Sequence, residues 1–265
     1  MRSRLLTGLV LALLTLVVVL FGPPLAVGAV LALALLVGGW EWSAFLALRS
    51  GARVAYVLSL ALCGALGLHY TGAVTVFVPL MEIAVAWWIL ALAWIVFAPS
   101  HASRPAAALA GVLVLVPTWL SLMRIDALWV HGAQWMLFVL ALAFAADTGA
   151  FFTGRRFGRL RLAPQVSPNK TWEGLLGGML LALAVAAGAN IWFQQPWESF
   201  LPLCLAAAGF SVIGDLTESL LKRHVHLKDS GRLFPGHGGV LDRIDSVTAA
   251  APLMALGLIW LGVGR

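Results

Sequence analysis

The segment Ser211–Val247, SVIGDLTESLLKRHVHLKDSGRLFPGHGGVLDRIDSV, decides how the chain is read. It leaves an apolar run through Asp215, Glu218, Ser219, Lys222 and Arg223 and crosses a Gly-rich polar loop. It re-enters apolar sequence just after Asp242, Arg243 and Asp245. Five of the chain's eleven acids and five of its seventeen Lys and Arg residues lie in this stretch, so the rest reads as a scaffold that holds it.

Composition sets the solvent of that scaffold. The 265 residues are 62% hydrophobic and only 11% charged, with a mean hydropathy of +0.97. Soluble domains carry roughly 25% charged residues, and a soluble core of this length could not hide so much apolar surface. The expected fold class is therefore all-α, a polytopic integral membrane protein. A span needs about 20 apolar residues, and on that ruler nine follow one another. They run near Leu5–Phe21, Leu25–Leu48, Val54–Leu68, Val74–Phe97, Ala106–Leu122, Gln134–Phe152, Trp172–Phe193, Phe200–Leu221 and Ser246–Val263. The first resembles a signal peptide, with Arg2 and Arg4 before it, but lacks a small-residue cleavage site and is expected to stay as a helix. Residues 1–122 are expected to form a helical scaffold. Residues 123–265 are expected to form a catalytic membrane domain with cytoplasmic loops at 153–171 and 222–245.

The net charge of +6 could suggest nucleic acid, but the bases sit in short loops between apolar spans. That distribution fits orientation by the positive-inside rule and contact with anionic lipid. With nine spans, fifteen Lys and Arg fall on the side of the N-terminus, and only Arg124 and Arg265 fall opposite. The N-terminus and the 222–245 loop are thus expected in the cytoplasm. Cys63 and Cys204 lie in apolar runs and read as packed small hydrophobes, not as a disulfide.

Acids inside spans are costly and usually paired or functional. Glu41 and Glu82 each interrupt an apolar span and would line a polar cavity or bridge helices. Asp147, in Ala146-Asp147-Thr148-Gly149, lies near the cytoplasmic end of the sixth span. With Glu173, Asp215, Glu218, Asp229, Asp242 and Asp245 it makes seven of the eleven acids on one side. Asp215 and Ser219 are four apart on one helix, with Lys222 continuing the column. Asp242 and Asp245 are three apart and share a face if a helix begins there. Clustered carboxylates beside clustered bases suggest a divalent cation held together with phosphates. Hard oxygen ligands without nearby Cys favour Mg²⁺ over Zn²⁺. Lys222, Arg223, Lys228, Arg232 and Arg243 would neutralise phosphate charge, and His237-Gly238-Gly239 would let backbone N–H groups approach it. Ser167–Gly174, SPNKTWEG, gathers Ser, Asn, Thr and Glu at a helix start, where an anion is favoured. A plain N-cap, with Glu173 complementing the dipole, is the alternative. Arg155, Arg156, Arg159 and Arg161 read either as part of that site or as lipid-headgroup anchors.

The stretch Ser219–Asp245 resembles the signature of the phosphatidate cytidylyltransferases (CDP-diacylglycerol synthases). Ser219, Lys222, Arg223, Lys228, Asp229, Gly231, Pro235, His237, Gly238, Gly239, Asp242, Arg243 and Asp245 occupy every fixed position of it. Ser167–Gly174 and Asp147-Thr148 are similar to two further segments of the family. The resemblance implies the reaction CTP + phosphatidate → CDP-diacylglycerol + pyrophosphate, in the cytoplasmic (inner) membrane. On that basis Asp215, Asp242, Asp245 and Ser219 would hold Mg²⁺, with room for a second cation such as K⁺. Lys222, Arg223, Lys228 and Arg243 would hold triphosphate or lipid phosphate, with Asp229 also at the substrate site and Asp147, Asn169 and Lys170 in supporting places. The resemblance also suggests a homodimer. A related CTP-dependent enzyme acting on another lipid phosphate is the nearest alternative. An ion-coupled transporter would scatter its acids through the membrane midplane and show an inverted repeat, neither of which the sequence has.

Overall fold

The computed structural model describes residues 2–127, 131–234 and 238–263. Among them lie nine helices in chain order: α1 (Arg2–Phe21), α2 (Pro24–Phe45), α3 (Ser50–Tyr70), α4 (Val74–Phe97), α5 (Arg104–Asp126), α6 (Gly132–Phe157), α7 (Trp172–Phe193), α8 (Trp197–His224) and α9 (Leu241–Trp260). The helix count and order match the apolar runs of the sequence. Seven helices, α2 to α8, are long and apolar enough to cross a membrane. In α1 the qualifying apolar stretch is the shorter Val10–Phe21, and α9 opens on the charged Asp242 and Arg243. Leu58, Leu62, Leu90, Leu176, Leu180 and Ile191 are each at least 60% exposed, as suits helices with a lipid-facing side. The protein is an all-α, integral membrane protein.

Helix ends depart from the sequence reading where a charged residue is built into a helix. Apolar runs end at the first charge, whereas backbone hydrogen bonding continues past it. Thus α3 begins at Ser50 and includes Arg53, whose guanidinium lies 4.1 Å from the Trp40 ring and donates to the Ser43 hydroxyl at 2.8 Å. Residues 153–157, expected as loop, complete α6, and Arg155 and Arg156 in its last turn favour the negative end of the dipole. The following segment is not irregular either. Strands β1 (Arg161–Ala163) and β2 (Ser167–Thr171) pair antiparallel, with Arg161 opposite Thr171 and Ala163 opposite Ser167.

The chain divides into two compact units interleaved along the sequence. One comprises Met1–Leu80, Ala102–Leu137 and Leu221–Ile244; the other comprises Met81–His101, Phe138–Leu220 and Asp245–Arg265. In the first, α2, α3 and α5 pack on one another around the half-polar side chains of Trp42 and Tyr56. The Trp42 indole donates to the Ala107 carbonyl at 2.9 Å, and the Tyr56 hydroxyl donates to the Ala108 carbonyl at 3.0 Å. Gly111 leaves room for both: a Cβ there would sit 2.1 Å from the Tyr56 oxygen.

The second unit is built on a small-residue seam between α6 and α7. Van der Waals packing drives helix association in lipid, so small residues let backbones approach. A Cβ on Gly149 would lie 2.6 Å from the Gly177 carbonyl, and one on Gly178 would lie 2.5 Å from the Ala146 carbonyl. Phe138 stacks on Phe200 and meets Phe193 edge-on, tying α6 to α8 and α7. Gly149→Ala is therefore expected to lower the thermal midpoint in detergent, by about 1–3 kcal/mol of overpacking. Gly188→Ala, also in α7 but with nothing within 4 Å, is expected to show no loss. Fluorescence-detected melting of the two variants checks the order.

Candidate active site

In the second unit, the polar residues expected at the site come from α6, β2, α8 and the start of α9. Asp215 and Ser219 are one turn apart on α8, and the Ser219 hydroxyl donates to Asp215 Oδ1 at 3.3 Å. Lys170 enters from β2 and places Nζ 2.7 Å from Asp215 Oδ2, with both side chains about a quarter exposed. Asn169, one residue earlier in the strand, is exposed. A Cβ on Gly214 would lie 2.4 Å from the Asp245 carbonyl. That close approach sets Asp245 beside the α8 turn that carries Asp215. Asp245 accepts from the Ser246 N–H at 2.8 Å, and the buried Ser246 hydroxyl donates to Asp147 on α6 through a short hydrogen bond. Asp147, Lys170, Asp215, Ser219 and Asp245 are thus all assembled within this unit, and Ser246 is a member that sequence reasoning missed. Its signal was its place directly after the signature's last Asp.

Ser167–Gly174 supplies both a strand and the N-cap of α7. Residues 167–171 are strand, and Thr171 caps α7 by accepting the Gly174 N–H at 3.1 Å. Glu173 turns outward to accept the Arg159 and Leu160 N–H groups at 3.0 and 3.2 Å, which secures the turn before β1.

In the first unit the polar residues are gathered at the end of α8, the start of α9 and the loop between them. Lys222 and Asp242 form a buried ion pair, Nζ to Oδ1 at 2.8 Å, with side chains 9% and 7% exposed. Asp242 Oδ2 accepts from the Ser230 N–H at 2.9 Å, the Ser230 hydroxyl at 2.9 Å and the Gly239 N–H at 2.8 Å. Burial alone would push the Asp242 carboxyl up. The Lys222 ammonium and the Gly239 and Ser230 N–H groups outweigh that and hold it below the usual carboxylate range. Gly238 adopts φ +82°, and a Cβ there would meet Asp242 Oδ2 at 2.3 Å and Asp229 Cβ at 3.4 Å.

Glycines expected to open backbone donors to phosphate are here required by a carboxylate, and the Gly239 N–H is given to Asp242. His237 lies outside the described residues. The Phe234 N–H donates to the Gly238 carbonyl at 2.9 Å. Arg223, Lys228, Asp229, Arg232 and Arg243 are exposed, Arg223 reaching the Leu227 carbonyl at 3.4 Å. Glu41, from α2, also accepts from this loop. Sequence reasoning had it lining a polar cavity or bridging helices, with no partner named.

Among the described residues, no three His, Cys, Asp or Glu side chains come together as a self-sufficient metal cage. Mg²⁺ is usually bound by one or two carboxylates, with waters and substrate phosphates filling its octahedron. Asp215 with Ser219, and Asp245 nearby, are hard-oxygen donors that fit such an open site. The Lys170 ammonium on Asp215 marks the place as one that favours positive charge.

The sequence pattern of the Cytidylyltransferase family matches residues 2–260. A phosphatidate cytidylyltransferase of Haemophilus influenzae is 35% identical over 96% of this chain and 97% of its own length. One of Pseudomonas aeruginosa is 36% identical over 89% and 87%. One of Bacillus subtilis is 40% identical over 47% of each chain. The chain belongs to the Cytidylyltransferase family.

Removing one partner from the buried pair strands a charge. Lys222→Met is expected to cost about 3–5 kcal/mol, and Lys222→Met/Asp242→Asn less than the sum of the two single variants. Melting in detergent measures both. A carboxyl whose pKa is depressed on folding stabilises above its unfolded pKa, about 3.9, and loses that contribution as pH falls through the folded value. The wild-type midpoint should therefore drop more steeply than that of Asp242→Asn as pH is taken from about 5 to about 3.

Proposed function

We propose that this cytidylyltransferase converts CTP and phosphatidate to CDP-diacylglycerol and pyrophosphate, at the cytoplasmic face of the cell (inner) membrane. The observation that carries the reading is the Ser219–Asp245 signature, complete at every fixed position, in a chain whose relatives of similar length are named for this reaction. The fifteen-to-two bias of Lys and Arg supports the cytoplasmic side.

A phosphatidate oxygen attacks the α-phosphorus of CTP, a new P–O bond forms, and the bond to the β-phosphate breaks with its electrons leaving on pyrophosphate. Phosphatidate is already ionised near neutral pH, so no general base is needed. Both reactants are anions, and the protein's work is positioning and charge neutralisation. Asp215 and Ser219, with Asp245, hold Mg²⁺, which when bound supplies positive charge to the phosphates. Lys170 orients Asp215, and Asp147 orients Asp245 through Ser246. Asp242 and Lys222 keep the loop in shape, and Lys228 from the loop, with Arg223 and Arg243 from the helix ends beside it, reach phosphate. A second cation and a homodimer belong to the same reading.

The two kinds of aspartate predict different phenotypes. Asp215→Ala should abolish product while leaving the melting midpoint near wild type, because a partly exposed pair is worth about 0–1 kcal/mol. Asp242→Ala should lose product and midpoint together. Purified protein with labelled CTP is assayed for lipid-linked product on diacyl phosphatidate and on a polyprenyl phosphate. Normal turnover by Asp215→Ala would sink the cation assignment, and preference for the polyprenyl substrate would sink the phosphatidate reading. Chelation should stop turnover and Mg²⁺ should restore it.

A further inference from the structure

Glu41 is a carboxylate in an apolar helix, only 6% exposed, and no step of the reaction requires it. A charge in such a place is expensive and is kept for its partners. Those partners are the two ends of one loop. Oε1 accepts the Val240 N–H at 3.0 Å, and Oε2 accepts the Leu241 N–H at 2.9 Å and the Ser230 hydroxyl at 3.2 Å. Val240 directly precedes α9 and Leu241 is its first residue, where free N–H groups and the dipole favour an anion. Glu41 therefore caps α9 from another helix.

The surroundings are shaped to admit this carboxylate. A Cβ on Gly231 would sit 2.3 Å from Oε1, and one on Gly239 would sit 2.4 Å from both oxygens. In α2 itself, the missing side chain of Gly38 makes room for Leu241, whose Cδ2 a Cβ there would meet at 3.2 Å. The Ser230 hydroxyl also lies 2.9 Å from Asp242 Oδ2. Glu41 and Asp242 thus grip the same serine, and both close the loop that carries the exposed Arg232.

We infer that Glu41 is a positioning residue that ties Ser230 to Val240 and Leu241 in the arrangement that receives the CTP phosphates, so that it sets nucleotide affinity and not the rate of transfer. The inference rests on the cytidylyltransferase reading above. A loop released from Glu41 is competent only part of the time, and apparent affinity falls by that fraction. Saturating CTP repopulates the competent form, so turnover at saturation survives.

The test uses the full chain, purified in detergent with lipid. Glu41→Gln keeps the shape but sets an NH₂ group against a backbone N–H. Its KM for CTP should rise on the order of tenfold while kcat stays within about threefold. Limited trypsin digestion gives a readout that does not need activity: Lys228, Arg232 and Arg243 are exposed. Cleavage there should be faster in Glu41→Gln than in wild type without nucleotide, and saturating CTP should restore protection. Gly239→Ala alone should mimic Glu41→Gln. Combined with Glu41→Ala it should add nothing further, because its methyl then fills vacated space.

An unchanged KM with unchanged cleavage overturns the inference. So does a fall in kcat at constant KM, which would make Glu41 part of the chemistry. A lowered melting midpoint with KM and cleavage unaltered overturns it as well. If Glu41→Ala does not fold, the Glu41→Gln arms decide. If the wild-type protein transfers nothing from CTP, the reaction reading fails while trypsin cleavage still decides the role of Glu41 in the loop.

Discussion

A polar loop beside a membrane domain keeps one shape only if its backbone N–H groups have acceptors of their own. Here two carboxylates supply them. Asp242 takes the N–H groups of Ser230 and Gly239 and the ammonium of Lys222, and Glu41 takes those of Val240 and Leu241. An unsatisfied buried N–H costs about 1–3 kcal/mol, so four such groups would unfold the turn if the acceptors were absent. The glycines at 231, 238 and 239 follow from the same constraint, because each would drive a Cβ into one of the two carboxylates.

The other unit solves a different problem. Asp215 is only partly withdrawn from solvent and is met by Lys170 and Ser219, and Asp147 accepts from Ser246. Partly exposed pairs contribute little stability, so these residues are kept in place by the helices that carry them. The glycine seam of α6 and α7 and the contact of Gly214 with the Asp245 backbone fix those helices. Rigidity comes from backbone packing more than from the pairs the carboxylates make.

Much of this was legible in the sequence because it depends on local spacing. Apolar length gave the helices, and the four-residue step from Asp215 to Ser219 put both on one face, where they are hydrogen-bonded. The ends of helices were misplaced where Arg53, Arg155 and Arg156 are absorbed into a helix, since an apolar ruler stops at a charge that hydrogen bonding ignores. The β1–β2 hairpin was hidden for a related reason: its five-residue second strand, Ser-Pro-Asn-Lys-Thr, has no apolar alternation. The partner of Glu41 lay about two hundred residues away in the chain, a distance no periodicity spans. The clues were an acid beside Gly38 and Gly39, and loop glycines more numerous than turns require.

Those glycines bear on how phosphate is met. Read as sequence, Gly238 and Gly239 promise a backbone nest for an anion. In the folded loop the described N–H groups at 230, 239, 240 and 241 already serve Asp242 and Glu41. A triphosphate arriving there would find those donors spent, and taking them would undo the loop. Its charge would then be answered by side chains of the same unit that are still outward, Arg223, Lys228, Arg232 and Arg243. Long exposed cations gain less per contact than fixed dipoles and are screened by salt, but they move with their ligand. An enzyme that must accept one substrate from water and another from the bilayer is served by a rigid loop with mobile arms, and the two buried carboxylates are what make the loop rigid.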